Sequence, residues 1–167
     1  MAETSSVAVA PPLPPHSETV RPEWVDYNSH MNVAFYVLIF DHATDALLDA
    51  VGIGEAYRRE ERGSLFIVEA HVADLSGLIA GDPVRVETQI LGHDDKRLHA
   101  FLRMIRAESG ELAATYEILG LHVDMKSRRA APFPPFAHGR IQALAALHAS
   151  LPRPAGAGRG VGLRSRR

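Results

Sequence analysis

The sequence predicts an α+β fold in which one antiparallel sheet wraps around a single long helix. Three observations carry that expectation. A helical pattern runs unbroken between Asn32 and Gly52, and aspartates every four residues form its one wet stripe. Several segments after it have the composition and period-two alternation of strands. Tight-turn residues join those segments, as an antiparallel meander requires.

Taken in order, residues 1–16 are rich in Ser, Ala and Pro and read as a disordered lead. "SETVRPEWV" reads as a short first strand. Asn32 suits a helix N-cap and Gly52 a C-terminal stop, giving a helix of about 20 residues and roughly 30 Å. Asp41, Asp45 and Asp49 face water, while Phe35, Leu38, Ile39, Ala43, Ala46 and Leu47 face inward. So narrow a wet stripe implies that something encloses the helix.

"SLFIVEAHVADL" (64–75) supplies a strand, with Phe66, Val68, Ala70 and Val72 on one face and Ile67, Glu69 and His71 on the other. After the turn "AGD", "PVRVETQIL" sets Val84, Val86, Thr88 and Ile90 against Arg85, Glu87 and Gln89. "GHDDK" turns the chain into "RLHAFLRMIR", with Leu98, Ala100, Leu102 and Met104 on one side, and "ESGE" turns it into "LAATYEILGLHVD". "RRAAPFPPF" leads into a small amphipathic helix carrying Ile141, Leu144, Ala145 and His148. One domain over 17–150 is expected, with a basic disordered tail over 151–167.

Bulk properties narrow the function. The composition, 46% apolar and 23% charged, is that of a globular protein. No apolar run reaches the roughly 18 residues a membrane span needs, and "MAETSSVAVAPPLPP" is a poor signal peptide. The chain has no cysteine, which removes disulfides and a thiol nucleophile and fits the cytoplasm. Five arginines lie from Arg153 onward, leaving 13 of the 18 basic residues against all 20 acidic ones in the body. An acidic body argues against nucleic acid as a partner. The Gly-x-Gly run of the tail has no strand before it or helix after it, so it is no dinucleotide fingerprint.

The chemistry concentrates in "WVDYNSHMNVAFY". Asp26, Tyr27, Asn28, Ser29 and His30 sit just before the long helix, whose first turn offers unpaired N–H groups and a positive dipole end. Hydrolysis at a carbonyl needs a nucleophile or a base for water, and donors aimed at the developing oxyanion. A carboxylate such as Asp26 serves in either way. The bland readings are a turn cap for Asp26 and Asn28, and a structural hydrogen bond for His30. The nine histidines show no metal-ligand spacing, and no Gly-x-Ser-x-Gly elbow exists, so neither a metal nor a hydrolase serine is expected.

In "DYNSHMNVAFY", "VEAHVADLSGLIAGDPVRVETQI" and "VDMKSRRAAPFP" the sequence resembles the hot-dog acyl-CoA thioesterases of the 4-hydroxybenzoyl-CoA thioesterase type, over roughly residues 18–136. It looks most like betainyl-CoA thioesterases, including the region fused to some carnitine dehydrogenases. The resemblance implies a small acyl-CoA substrate, no cofactor beyond the substrate's own coenzyme A, and Asp26 as catalytic carboxylate with Asn28 and His30 as orienting groups. The aromatics Trp24, Tyr27, Phe35 and Tyr36 crowd the same place; core packing accounts for most of them, and on the functional reading two or three line an acyl pocket and face a quaternary ammonium as a cation–π cage, with Trp24, Tyr27, Asn32 and Tyr36 as the substrate-binding candidates. Glu69 is a weaker second acid. Lys96, Arg97 and Arg128 are candidates for coenzyme A phosphates, among other cations at strand ends. Protomers of this type pair, so a homodimer or dimer of dimers is expected. A hydratase or dehydratase of the same fold and a non-catalytic acyl-CoA-binding protein are the rivals.

Overall fold

Asn32 caps the long helix with its side chain, whose Oδ1 accepts the Ala34 N–H at 3.0 Å. Gly52 stops it at φ +84°, a left-handed conformation that glycine adopts without steric cost. This is α1 (Val33–Val51), seen in a computed structural model that describes residues 13–60, 62–74 and 76–163. Before it lie β1 (His16–Thr19) and a 3-10 turn at Pro22–Trp24. After it come α2 (Glu55–Arg59), β2 (Gly63–Asp74), β3 (Pro83–His93), β4 (Arg97–Arg106), β5 (Leu112–Asp124), β6 (Arg129–Ala130) and α3 (Pro135–His148). The five-residue α2 and two-residue β6 are too short to leave a periodic signal, and the sequence does not announce them.

The sheet is antiparallel throughout, in the order β1-β3-β4-β5-β2, with β6 added beside β5. Its inner face meets α1. Val84, Val86 and Ile90 on β3, Leu98, Ala100, Leu102 and Met104 on β4, and Ile118 on β5 are buried there with Ile39, Phe40, Ala43 and Leu47. Phe40 stacks on Tyr116 at 5.1 Å. The aspartate stripe of α1 is exposed as expected, but Ala46 is exposed as well rather than inward. Among the described residues no helix is long and apolar enough to cross a membrane.

Two expectations need correction. A register shift between Ile67 and Glu69 breaks the alternation of β2, so Val72 packs against the core with Ile67 while Phe66 and Val68, expected on the face of Val72, are 45% and 56% exposed. Residues 151–163 are not a loose tail either. They run in turns over the outer face, where Gln89 donates to the Pro152 carbonyl at 3.2 Å and the Gly158 N–H donates to Glu117 Oε2 at 2.7 Å. Phe101, opposite Gln89 in the β3–β4 register, is buried on that face. Of the expected disordered lead, 1–12 lie outside the described residues, Leu13 packs against the core and His16 opens β1. Residues 164–167 also lie outside them.

At the end of α3, His148 Nδ1 accepts the Ile90 N–H at 3.0 Å, while its buried Nε2 meets no partner among the described residues. An amide can only donate, so the ring is neutral with its proton on Nε2. Burial pushes its pKa below the ordinary value. The folded pKa is therefore lower than the unfolded one of about 6.5, so this stabilisation is complete above that pH and is lost as pH falls through the folded value. We expect the melting temperature to drop as pH is lowered below about 6.5. In His148→Gln, followed by circular dichroism, that component of the drop is absent.

Candidate active site

Residues 24–32 close on themselves as a small hairpin immediately before α1. The Asn32 N–H donates to the Trp24 carbonyl at 2.9 Å, Val25 and Met31 form a bridge, and the Asp26 N–H donates to the His30 carbonyl at 3.0 Å. At the tip the Ser29 N–H donates to the Asp26 carbonyl at 2.9 Å. Ser29 takes φ +62°, which costs a residue with a Cβ roughly 1–2 kcal/mol and persists because the bonds around it fix the turn.

The Asp26 carboxylate caps this turn. Its Oδ1 accepts the Asn28 N–H at 2.8 Å, and Oδ2 has no partner among the described residues. His30 Nδ1 lies 3.0 Å from the Asn28 carbonyl. A carbonyl only accepts, so Nδ1 carries the proton and Nε2 of the neutral ring is left as an acceptor. Asp26 is half-buried, whereas Tyr27, Asn28 and His30 are exposed. With the Ala34 amide taken by the cap, the Val33 N–H is left without a partner among the described residues, at the positive end of a 19-residue dipole. No acid occupies that first turn. The hairpin thus brings Asp26, Asn28, His30 and Asn32 together at the mouth of α1. The turn cap takes one oxygen of Asp26 and leaves the other without a partner among the described residues.

The other expected site residues differ in exposure and in place. Tyr36 is fully buried, its hydroxyl donating to the Ser76 carbonyl at 3.3 Å and accepting the Leu78 N–H at 3.0 Å, so it anchors a loop and does not line a pocket. Trp24 is also buried, stacked on Phe35 at 5.5 Å and covered by the Arg21 guanidinium at 4.9 Å, which leaves it no face for a ligand cation. Tyr27, 95% exposed, is the ring of that group open to solvent. Glu69 lines an outer groove of about 390 Å³ with His71, His99, Glu117 and Gly158, and the hairpin takes no part in it.

Lys96, Arg97 and Arg128 sit in turns at the start of β4 and beyond β5, whereas the segment beside the hairpin adjoins the other end of the sheet. Within one protomer they do not meet Asp26. Arg97 pairs with Asp94 at 2.6 Å. The Lys96 amide, followed by Arg97, holds the Asp94 carboxyl down at about 2. Arg106, which the sequence does not single out, does reach the neighbourhood. Its guanidinium bonds the Asp82 carboxylate and the Gly77 carbonyl, and lies 3.2 Å from Glu111. It braces residues 76–82, which receive the Met31 N–H at the Leu78 carbonyl, 2.7 Å away. Nothing in its sequence setting separates it from other strand-end arginines.

Residues 20–143 match the family described as the thioesterase-like superfamily. The chain is 43% identical to a betainyl-CoA thioesterase of Pseudomonas aeruginosa over 90% of its own length and 95% of that protein's. It is 37% identical to an L-carnitine dehydrogenase/betainyl-CoA thioesterase of Rhizobium meliloti, covering 95% of this chain but 32% of that longer protein. A hypothetical protein from Staphylococcus aureus, solved in complex with CoA, superposes with a TM-score of 0.86 at 30% identity, over 95% of this chain and 100% of that one.

Gly77 packs against the hairpin so closely that an added Cβ would stand 2.5 Å from His30 Cδ2. Because His30 is exposed, its ring can swing away at little cost in stability. Gly77→Ala is expected to move the melting temperature by the equivalent of about 0.5 kcal/mol while lowering turnover, since the ring leaves the Asn28 carbonyl. Parallel melting and thiol-release measurements check this.

Proposed function

The chain belongs to the thioesterase-like superfamily and is an acyl-CoA thioesterase of hot-dog fold, and on that premise we propose that it hydrolyses betainyl-CoA or a similarly small acyl-CoA with Asp26 as its working carboxylate. The observation that carries this reading is the 43% identity to a betainyl-CoA thioesterase over nearly the whole of both chains. The half-buried Asp26 Oδ2 beside the mouth of α1 supports it chemically.

Two routes fit that oxygen. In the first, Oδ2 takes a proton from water as the water oxygen bonds to the thioester carbon. The carbonyl pair moves onto oxygen, facing the Val33 N–H and the positive helix end. The C–S bond then breaks, and the departing thiolate takes the proton from Asp26. In the second, Oδ2 bonds to the carbon directly, the thiolate leaves, and water cleaves the mixed anhydride. Asn28 and His30 position substrate or water. Neither route uses a cofactor, and we place the enzyme in the cytoplasm.

The assembly belongs to the same proposal. Among the described residues strand β2 pairs on one side only and exposes Phe66 and Val68, an edge that a second copy would cover in a homodimer or dimer of dimers. Lys96, Arg97 and Arg128 would then serve coenzyme A phosphates at a hairpin of another protomer, not of their own.

Asp26→Asn keeps the Oδ1 cap and deletes the charge. We expect kcat to fall by roughly 10²–10⁴-fold with coenzyme A binding and melting temperature nearly unchanged. Near-normal thiol release from the folded variant would remove Asp26 from the chemistry. Isotope found in Asp26 after a single turnover of wild type in ¹⁸O water identifies the second route, because water oxygen enters Asp26 only through the anhydride.

Substrate choice has its own measurement. Tyr27→Ala should lower kcat/KM for betainyl-CoA by about 2–30-fold more than for a neutral acyl-CoA of the same size, the range of one cation–π contact. Equal losses on the two would exclude a cage at Tyr27.

A further inference from the structure

Away from the hairpin, β1 and α1 bring together two histidines and a glutamate. Residues two apart on a strand share a face, so His16 and Glu18 both point toward α1, where His42 meets them. Glu18 Oε2 lies 3.0 Å from His16 Nε2 and 3.0 Å from His42 Nδ1. One donor atom from each side chain falls within 4.8 Å of the others, and no other such group of His, Asp or Glu converges among the described residues. All three are half-buried.

We infer that His16, Glu18 and His42 form a binding site for a divalent transition-metal ion of the Zn²⁺ type. In a tetrahedral site with Zn–N of about 2.0–2.1 Å, neighbouring ligand atoms stand about 3.3 Å apart. The Glu18 contacts are already near that separation, and closing the two imidazoles takes small ring rotations. Two imidazoles and a carboxylate suit Zn²⁺, Co²⁺ or Ni²⁺, and no cysteine is present to favour a softer ion. The fourth position faces solvent and takes water. Without the ion, both facing ring nitrogens carry protons, because the carboxylate only accepts. Binding moves each proton to the far ring nitrogen and leaves both rings neutral.

On α1, Asp41 precedes His42 and Asp45 lies three residues on, so carboxylates stand on the same helix beside the cluster. The ion has a plain structural consequence. Glu18 and His42 are 24 residues apart, and the hairpin lies wholly between them, so a bound ion closes that segment into a ring. His42 is ten positions beyond Asn32, roughly 15 Å along the helix, so the ion stands apart from the thioester chemistry.

The full chain, expressed without a histidine tag and stripped with a chelator, is titrated with Zn²⁺ by calorimetry and with Co²⁺ by visible absorption. One ion per chain is expected, with d–d bands of a four- or five-coordinate site and a raised melting temperature. Glu18→Gln and His42→Ala should each weaken binding by about ten-fold or more. Absence of binding at millimolar Zn²⁺, or equal binding in wild type and both variants, overturns the site. Should His42→Ala not fold, Glu18→Gln decides, since glutamine keeps the shape and loses the charge. Thiol release should survive stripping, and its loss would overturn the separation of ion from chemistry.

Discussion

A buried hydroxyl holds this site in place. Tyr36 is in the first turns of α1 with no exposure to water, so its phenol has to find partners within the protein. It takes two from one short segment, the Ser76 carbonyl and the Leu78 N–H. Leaving such a group unpaired costs roughly 1–3 kcal/mol, which ties the helix to that segment. Leu78 in turn receives the Met31 N–H, and Met31 is the closing strand of the hairpin that carries Asp26. Arg106 braces the same segment from the end of β4. Helix, loop and sheet each fix one side of the hairpin, and this is why a strained Ser29 persists at its tip.

The electrostatics follow from where the helix begins. The side chain of Asn32 satisfies one of the orphan amides and leaves the Val33 N–H without a partner among the described residues. No acid stands in the first turn to consume the positive end. The acids of α1 come later, at Asp41, Asp45 and Asp49 on the exposed stripe, where they repel one another and keep that face wet. Asp26 lies just outside the helix, close enough in sequence to share its end yet held by its own turn. A carboxylate inside the first turn would stabilise α1 and occupy the same free donors.

Legibility in the sequence tracked how local each feature is. The cap at Asn32, the stop at Gly52 and the inner faces of β3 and β4 were readable because each depends on neighbours within a few residues. The motif Asp26-Asn28-His30 was readable for the same reason, since it folds upon itself. What failed depends on partners far along the chain. The bulge in β2 is set by its pairing with β5, and the burial of Tyr36 by a loop 40 residues away. Whether Trp24 offers a face to a ligand depends on Phe35 and Arg21, which no spacing rule relates to it. The tail was misread because its cover, the outer face with Phe101 and Glu117, belongs to the middle of the sheet.

Histidines show the same logic at the level of single protons. His122 is buried with both nitrogens used, Nδ1–H donating to the Ala131 carbonyl and Nε2 accepting from Tyr57, so its tautomer is fixed. His148 is buried with one nitrogen used, and the fold pays by holding the ring neutral. His30 is exposed with one nitrogen used, so its other nitrogen carries no such cost. His16 and His42 share a single carboxylate, so each spends a donor on the same partner. Residue type and spacing treat these five alike. Their roles separate only by which nitrogen is engaged and how much water reaches the other.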